Sequence, residues 1–420
     1  MTQTLTNAQI IDPQNDRVFK GGVVIDNGSI TEIFEGERTG EDLNGAYLAP
    51  GIVDIGVKVG EPGERHKESF KSASNAALAG GVTTMIIRSD TNPAIDTPET
   101  LAFVQTRARE TSRVHTHITA TITLDRAGVE MAEIGFLRDG GAIAFSDGDA
   151  VILDSKTATR AYNYIAMMGG LVIGHIQEPH LSKGAVATSG AFATKLGLSA
   201  VSPLAEKIGL QREMALVEMT GVRYHIDQIT TSAALPVLER AKDAGLDVTA
   251  ATSIHHLTLN EFDIDDYRTF FKLKPPLRSE EDRKAIIAAV KSGLIDSISS
   301  MHTPQDEESK RLPFDDAAAG AVALEMLLPA ALRLYHSGDL TLPEIFRALS
   351  TNPAKRMGLE TGRMEVGAPA DLVAFDAQTP WLVDRTKLLS KAKNTPYDGA
   401  KMQGRALMTW VVGEKLWSLK

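Results

Sequence analysis

Ten histidines and no cysteine decide which metal chemistry this 420-residue chain could carry. Thiolate sites and disulfides are excluded, so imidazole and carboxylate remain as ligands. His115 and His117 form the only His-x-His, a spacing that points both rings to one side of a strand. They open a strand-like segment, the end of a parallel barrel that carries stability rather than chemistry, and read as structural. His255 and His256 are adjacent; on a strand they would face opposite ways, so they too read as structural. His175 stands alone at a strand end and reads as a core hydrogen bonder, with a ligand role as its alternative. Asp147, in AIAFSDG, is the acidic candidate near it. Gly56 and Lys58, two apart at another strand end, offer no lone pair: glycine has no side chain, and an ammonium only donates.

These residues need a frame. Strand-like segments fall near 51–59, 83–89, 117–123, 142–147, 171–176, 224–230, 247–252 and 297–301. Amphipathic stretches lie between them at 67–79, 203–219, 233–244 and 280–291. Eight such alternations predict a parallel (β/α)8 barrel over 51–364, with a doubly wound open sheet as the competing pattern. The first fifty residues and 365–420 are strand-rich, with Asp26-Asn27-Gly28 as a hairpin turn, and are expected to pair into one small β-sandwich domain. The Gly/Ser/Ala-rich stretch 181–202 reads as a loop over the mouth, where lids occur. Gly80-Gly81 and Gly140-Gly141 precede strands and read as helix C-caps. No P-loop, dinucleotide fingerprint or Gly-x-Ser-x-Gly elbow is present.

The order and spacing of APGIVDIGVKVGEPGERHKESF, GAIAFSDG, GHIQEPHL, TGVRYHIDQIT, KLKPPLRSEEDR, IDSISSMHTP and TNPAKRMGLETGRMEVGAPADLVAFD resemble the dihydroorotase family of amidohydrolases, in its longer bacterial form. The resemblance covers nearly the whole chain. It implies a barrel whose mouth holds zinc, with a His-x-His pair on the first strand and an aspartate on the eighth as ligand and general base. In this chain the pair falls on Gly56 and Lys58. The sixth-strand histidine falls on Gln228, after His225, and the aspartate on Met301, before His302. Asp147 and His175 are the matched remainder, the usual second aspartate being Gly148. Four substrate positions are altered as well: Gly60 for arginine, Asp90 and Lys274 for asparagines, and Gln305 for histidine. Asp90 would repel a substrate carboxylate. His66 is expected to hydrogen-bond at the start of the helix after the first strand.

Two ligands do not make a catalytic zinc site, which takes three and an open position. Methionine cannot take a proton from water. The expectation is therefore a pseudoenzyme without cofactor, Lys58 pairing with Asp147 where the metal would sit, though residual metal is an alternative. Such chains associate with aspartate carbamoyltransferase as a structural subunit, which the resemblance extends to this one as a homo- or hetero-oligomer. The alternatives are an active or weakly active dihydroorotase or other cyclic amidohydrolase, and a metabolite sensor whose charged mouth the resemblance would build from Lys58, Arg88, Asp90 and Lys274. Lys+Arg 44 against Asp+Glu 54 argues against nucleic acid. The lack of a leader pattern or of an apolar run long enough to span a bilayer places the protein in the cytoplasm.

Overall fold

The computed structural model describes residues 2–419. Six of the eight barrel strands are short parallel segments: Ile52–Val57, Val82–Ile87, His115–Ile118, Leu171–Gly174, Arg223–Ile226 and Val248–Ser253. The eighth, Ser297–Ser299, pairs with the seventh. The fourth is reduced to Phe145, which bridges Ala120 on one side and Val172 on the other. Every residue of the first two strands is buried, as a sheet covered on both faces requires. The ring closes where Lys58 N donates to His302 O at 2.9 Å and Ser300 N to the buried Asp54 carboxylate at 2.9 Å. The expected barrel and its two-ended sandwich are both present.

The two chain ends form one eight-stranded sheet. In spatial order it runs Glu414–Ser418, Lys401–Val411, Leu372–Leu382, Tyr47–Pro50, Gln3–Asp12, Arg17–Asp26 and Ser29–Glu35, with Glu41–Asp42 beside Gln3–Asp12. Residues from both termini, including Leu5, Ile10, Val23, Leu372 and Trp410, share one apolar core. The hairpin at Asn27-Gly28 has positive φ at both positions, 48° and 82°, as its two-residue turn demands.

Helices follow the amphipathic stretches, at Phe70–Ala79, Leu204–Thr220, Leu235–Asp243 and Glu280–Lys291. Gly80 and Gly140 cap helices as expected. Three readings are corrected. Ser69, not His66, caps the first of these helices, by accepting from Ser72 N. His66 is largely exposed and lies 3.8 Å from Asp306. His255 and His256 sit on a short helix, Ile254–Thr258, rather than a strand. The 181–202 stretch is not an irregular loop: Ala187–Thr188 pairs with Ala200–Val201 around a helix, Ala191–Leu196. Among the described residues no helix is long and apolar enough to cross a membrane.

One buried ion pair ties the mouth together. Glu206, fully buried near the start of Leu204–Thr220, accepts from Thr230 N and Thr231 N beyond the sixth strand, both at 2.8 Å, and from Gln177 Nε2 beyond the fifth at 2.9 Å. Arg278, 2% exposed, approaches it at 3.4 Å and donates to Thr188 Oγ1 at 2.9 Å. Removing the carboxylate would strand the guanidinium without a counter-charge. Glu206→Ala is expected to cost about 3–5 kcal/mol in urea unfolding, against less than about 1 kcal/mol for Lys284→Ala at the exposed pair with Glu280.

Candidate functional site at the barrel mouth

The strand ends bring Gly56, Lys58, Arg88, Asp90, Gly148, Asp149, His175, Asp227 and Met301 to one end of the barrel. Arg88 grips Asp90 with two bonds, Nε to Oδ1 and Nη2 to Oδ2, each 3.1 Å. Lys58 Nζ reaches the same Oδ2 at 3.2 Å. Burial works against ionised Asp90, but Arg88 and then Lys58 more than offset it and hold its pKa below the usual carboxylate range. Arg88 stays charged despite its own burial because Asp90, Asp149 and Asp227 surround it. Asp90 is thus a neutralised carboxylate rather than a free negative charge, which corrects the expected repulsion.

Lys58 does not pair with Asp147. The Asp147 carboxylate turns away, accepting from Ile122 N at 2.8 Å, Thr123 N at 3.1 Å and Thr123 Oγ1 at 2.6 Å. Burial raises its pKa in spite of these bonds. Gly148, not Asp147, lines the centre of the mouth. Asp149 takes Lys274 Nζ at 2.7 Å and Arg126 Nη2 at 2.6 Å. Its pKa is held well below normal because Lys274 and Arg88 outweigh the cost of burial.

The centre itself is filled. A Cβ added at Gly56, whose φ is +128°, would meet Met301 Sδ at 2.7 Å, and one at Gly148 would meet Asp90 Cβ at 2.8 Å. The remaining cavity is about 20 Å³, lined by Ile55, Ile86, Thr119, Ile173, Asp227 and Met301 among others, room for about one water molecule. Met301 holds φ at +46°, a left-handed value unusual for methionine. Its neighbours fix it there: Ser300 N donates to Asp54, His302 N to Ser300 Oγ and Thr303 Oγ1 to Met301 O.

The other candidates are dispersed. His175 Nδ1 lies 3.0 Å from Asp227 Oδ2. Gln228 Nε2 donates to Lys274 O at 3.3 Å, and Gln305 Nε2 to Ala319 O at 2.8 Å. Gly60 has no room for a side chain, because a Cβ there would collide with the Glu64 carbonyl. His302 is fully buried with Nε2 3.4 Å from Glu68, and His225 is buried against Thr249. His115 pairs with Asp371 at 3.1 Å, which raises its pKa; His117 is lowered by burial. Burial pushes His255 down to about 3 and His256 to about 4, and both stay neutral in the core. Among the described residues no three His, Cys, Asp or Glu side chains gather as a metal-binding group. Sequence reading missed Arg126, Asp149 and Asp227; the acidic SDGD run was the available signal for Asp149.

Comparison with known proteins agrees with this frame. A family model described as dihydro-orotase-like matches residues 45–234, and one described as amidohydrolase family matches 325–416. A dihydroorotase from Wolbachia sp. subsp. Drosophila simulans (strain wRi) is 35% identical, over 99% of this chain and 95% of that one. A dihydroorotase-like protein from Pseudomonas putida is 35% identical over 98% of each. Among solved structures, the L-hydantoinase (dihydropyrimidinase) from Arthrobacter aurescens superposes with a TM-score of 0.89 at 23% identity, covering 100% of this chain and 98% of that one. Similarity over essentially its full length to proteins named dihydroorotase shows that the chain belongs to the dihydroorotase family of amidohydrolases.

Proposed function

We propose that this chain is a dihydroorotase-like protein of pyrimidine metabolism that has given up hydrolysis and serves as a structural partner of aspartate carbamoyltransferase. The observation that carries the reading is the occupation of the barrel centre by Met301 and by the Arg88–Asp90 pair. A zinc ion would need three nitrogen or oxygen ligands converging on one point with a fourth position open. Gly56, Gly148 and Met301 supply no nitrogen or oxygen ligand there. Lys58 is held on Asp90, and His175, its Nδ1 on Asp227, supplies at most one ligand, with no three His, Cys, Asp or Glu side chains gathered among the described residues. This donor set does not fit zinc, and no water-activating step is assigned to it. Nor does a base replace the one lost at Met301: Asp90 and Asp149 are both tied to cations and held ionised at low pKa.

The family frame supports the partner half of the proposal, because the barrel and the two-ended sheet persist around a mouth whose chemistry has been replaced. Two outcomes test it. Purified chain, free of the host's own enzyme, should show no dihydroorotate turnover above background. Mixed with aspartate carbamoyltransferase from the same source, it should co-elute in size-exclusion chromatography. Turnover, or separate elution at micromolar concentrations, would contradict the proposal.

The packing at the centre makes a further prediction. Gly56→Ala combines a positive φ with a collision against Met301, and should destabilise the fold by about 1–3 kcal/mol in thermal or urea unfolding. Adding Met301→Ala to that variant should relieve the collision but not the backbone strain, so the double variant should be less destabilised than the two single changes sum to.

A further inference from the structure

A cavity of about 720 Å³ opens where the C-terminal strands lie beside helix Phe70–Ala79, and none of the mouth residues borders it. Its volume and its place between barrel and sheet are those of a small-molecule site. Strands Leu372–Leu382 and Glu414–Ser418 bring Trp381 and Trp417 into its wall, and Lys401–Val411 brings Arg405. Glu325 enters the same wall from the turn before helix Leu327–His336.

Two of these groups carry charge that the protein leaves unanswered. Glu325 is part-buried, and its Oε1 accepts from Leu389 N at 2.6 Å and Ser390 N at 3.0 Å, while Oε2 has no partner among the described residues. Burial outweighs those two bonds and lifts its pKa to about 7. Arg405 makes no hydrogen bond or ion pair among the described residues; its guanidinium carbon stands 5.3 Å from the Trp381 ring centre, over one indole face. Trp381 is itself fixed, its Nε1–H donating to Gly404 O at 3.0 Å. The other charges in the wall answer each other: Asp384 Oδ1 takes Thr386 N and Oγ1, and Lys387 lies 3.7 Å from its Oδ2.

The wall asks a ligand for three things at once. A flat ring stacks on an indole, an N–H donor meets Glu325 Oε2, and an anion meets Arg405. An aromatic amino acid carries its ammonium and carboxylate on one carbon, whereas Glu325 and Arg405 stand apart, on the barrel and on the sheet. A nucleoside phosphate separates donor and anion by the length of its sugar and fills more of the cavity. We propose that this cavity binds a nucleoside phosphate whose base carries an amino group, the base on Trp417 beside Glu325 and the phosphate on Arg405. The site is independent of the silent-subunit reading, because no residue of the mouth takes part and no bond is formed or broken there.

Calorimetric titration of the full chain with AMP tests it, beside relatives that each lack one feature. Adenosine, without the phosphate, should bind about tenfold more weakly, and purine riboside monophosphate, without the amino group, about fivefold. Ribose phosphate, without a base, should give no heat. Arg405→Ala should weaken AMP about tenfold and leave adenosine unchanged. Glu325→Gln should weaken AMP about fivefold and leave purine riboside monophosphate unchanged. A merely structural loss would weaken every ligand alike, and the analogue series on the unaltered chain decides the matter even where a variant fails to fold. No heat from AMP up to millimolar concentration, equal affinity for AMP and its relatives, tighter binding of L-tryptophan than of AMP, or folded variants that lose all ligands equally would each overturn the inference.

Discussion

A carboxylate buried at the mouth of a barrel persists as an ion only where cations meet it, and at Asp90 two do. Arg88 holds both oxygens and Lys58 one of them. Much of the rest of the mouth follows from that pair. The guanidinium needs the negative field of Asp149 and Asp227 as well, so the neighbouring strand ends are drawn into one network of four cations, three carboxylates and His175. The Asp90 side chain in turn takes the space a residue larger than glycine would need at position 148. An interior ion pair gives little net stability, but losing either partner is costly, so the arrangement is self-perpetuating once formed.

The backbone beneath this network has kept a demanding geometry. Met301 sits at a left-handed φ fixed by three hydrogen bonds, and Gly56 at a φ that only glycine adopts freely. Strained positions of this kind gather at functional sites, where surrounding structure over-determines them. Here the same backbone is held because Asp54, Ser300 and the Lys58–His302 contact also close the barrel ring. The methionine side chain takes the space that a side chain at position 56 would need, so the two positions pack as part of the core.

Much of this was legible in the residues. Apolar runs marked all eight strand positions, the fourth at 142–147 included, and turn chemistry placed the Asn27-Gly28 hairpin. The fourth is shorter than the 142–147 run expected, because a single bridging residue, Phe145, does its work. The site was read less well than the fold, for a specific reason. Beyond the Phe145 bridge the chain turns at Gly148, whose φ is +64°, so it is this glycine and not the Asp147 side chain that meets the centre. Asp147 spends its carboxylate on backbone N–H groups of the preceding segment, and the position facing the centre is glycine. Lys58 accordingly found its partner on the second strand. Asp227 was passed over for its neighbour Gln228, since nothing local distinguishes a carboxylate that will meet a histidine 52 residues away, at the end of the adjacent strand. Long-range pairing of charges is a property of the assembled barrel, and spacing along one strand does not encode it.

The central claim is that the mouth offers no home for the metal on which dihydroorotase chemistry depends. Elemental analysis of the full chain, after incubation with excess zinc and exhaustive buffer exchange, tests it directly. The account predicts zinc far below one equivalent per chain. Zinc retained at one or two equivalents per chain, and lost on substituting His175, would contradict it.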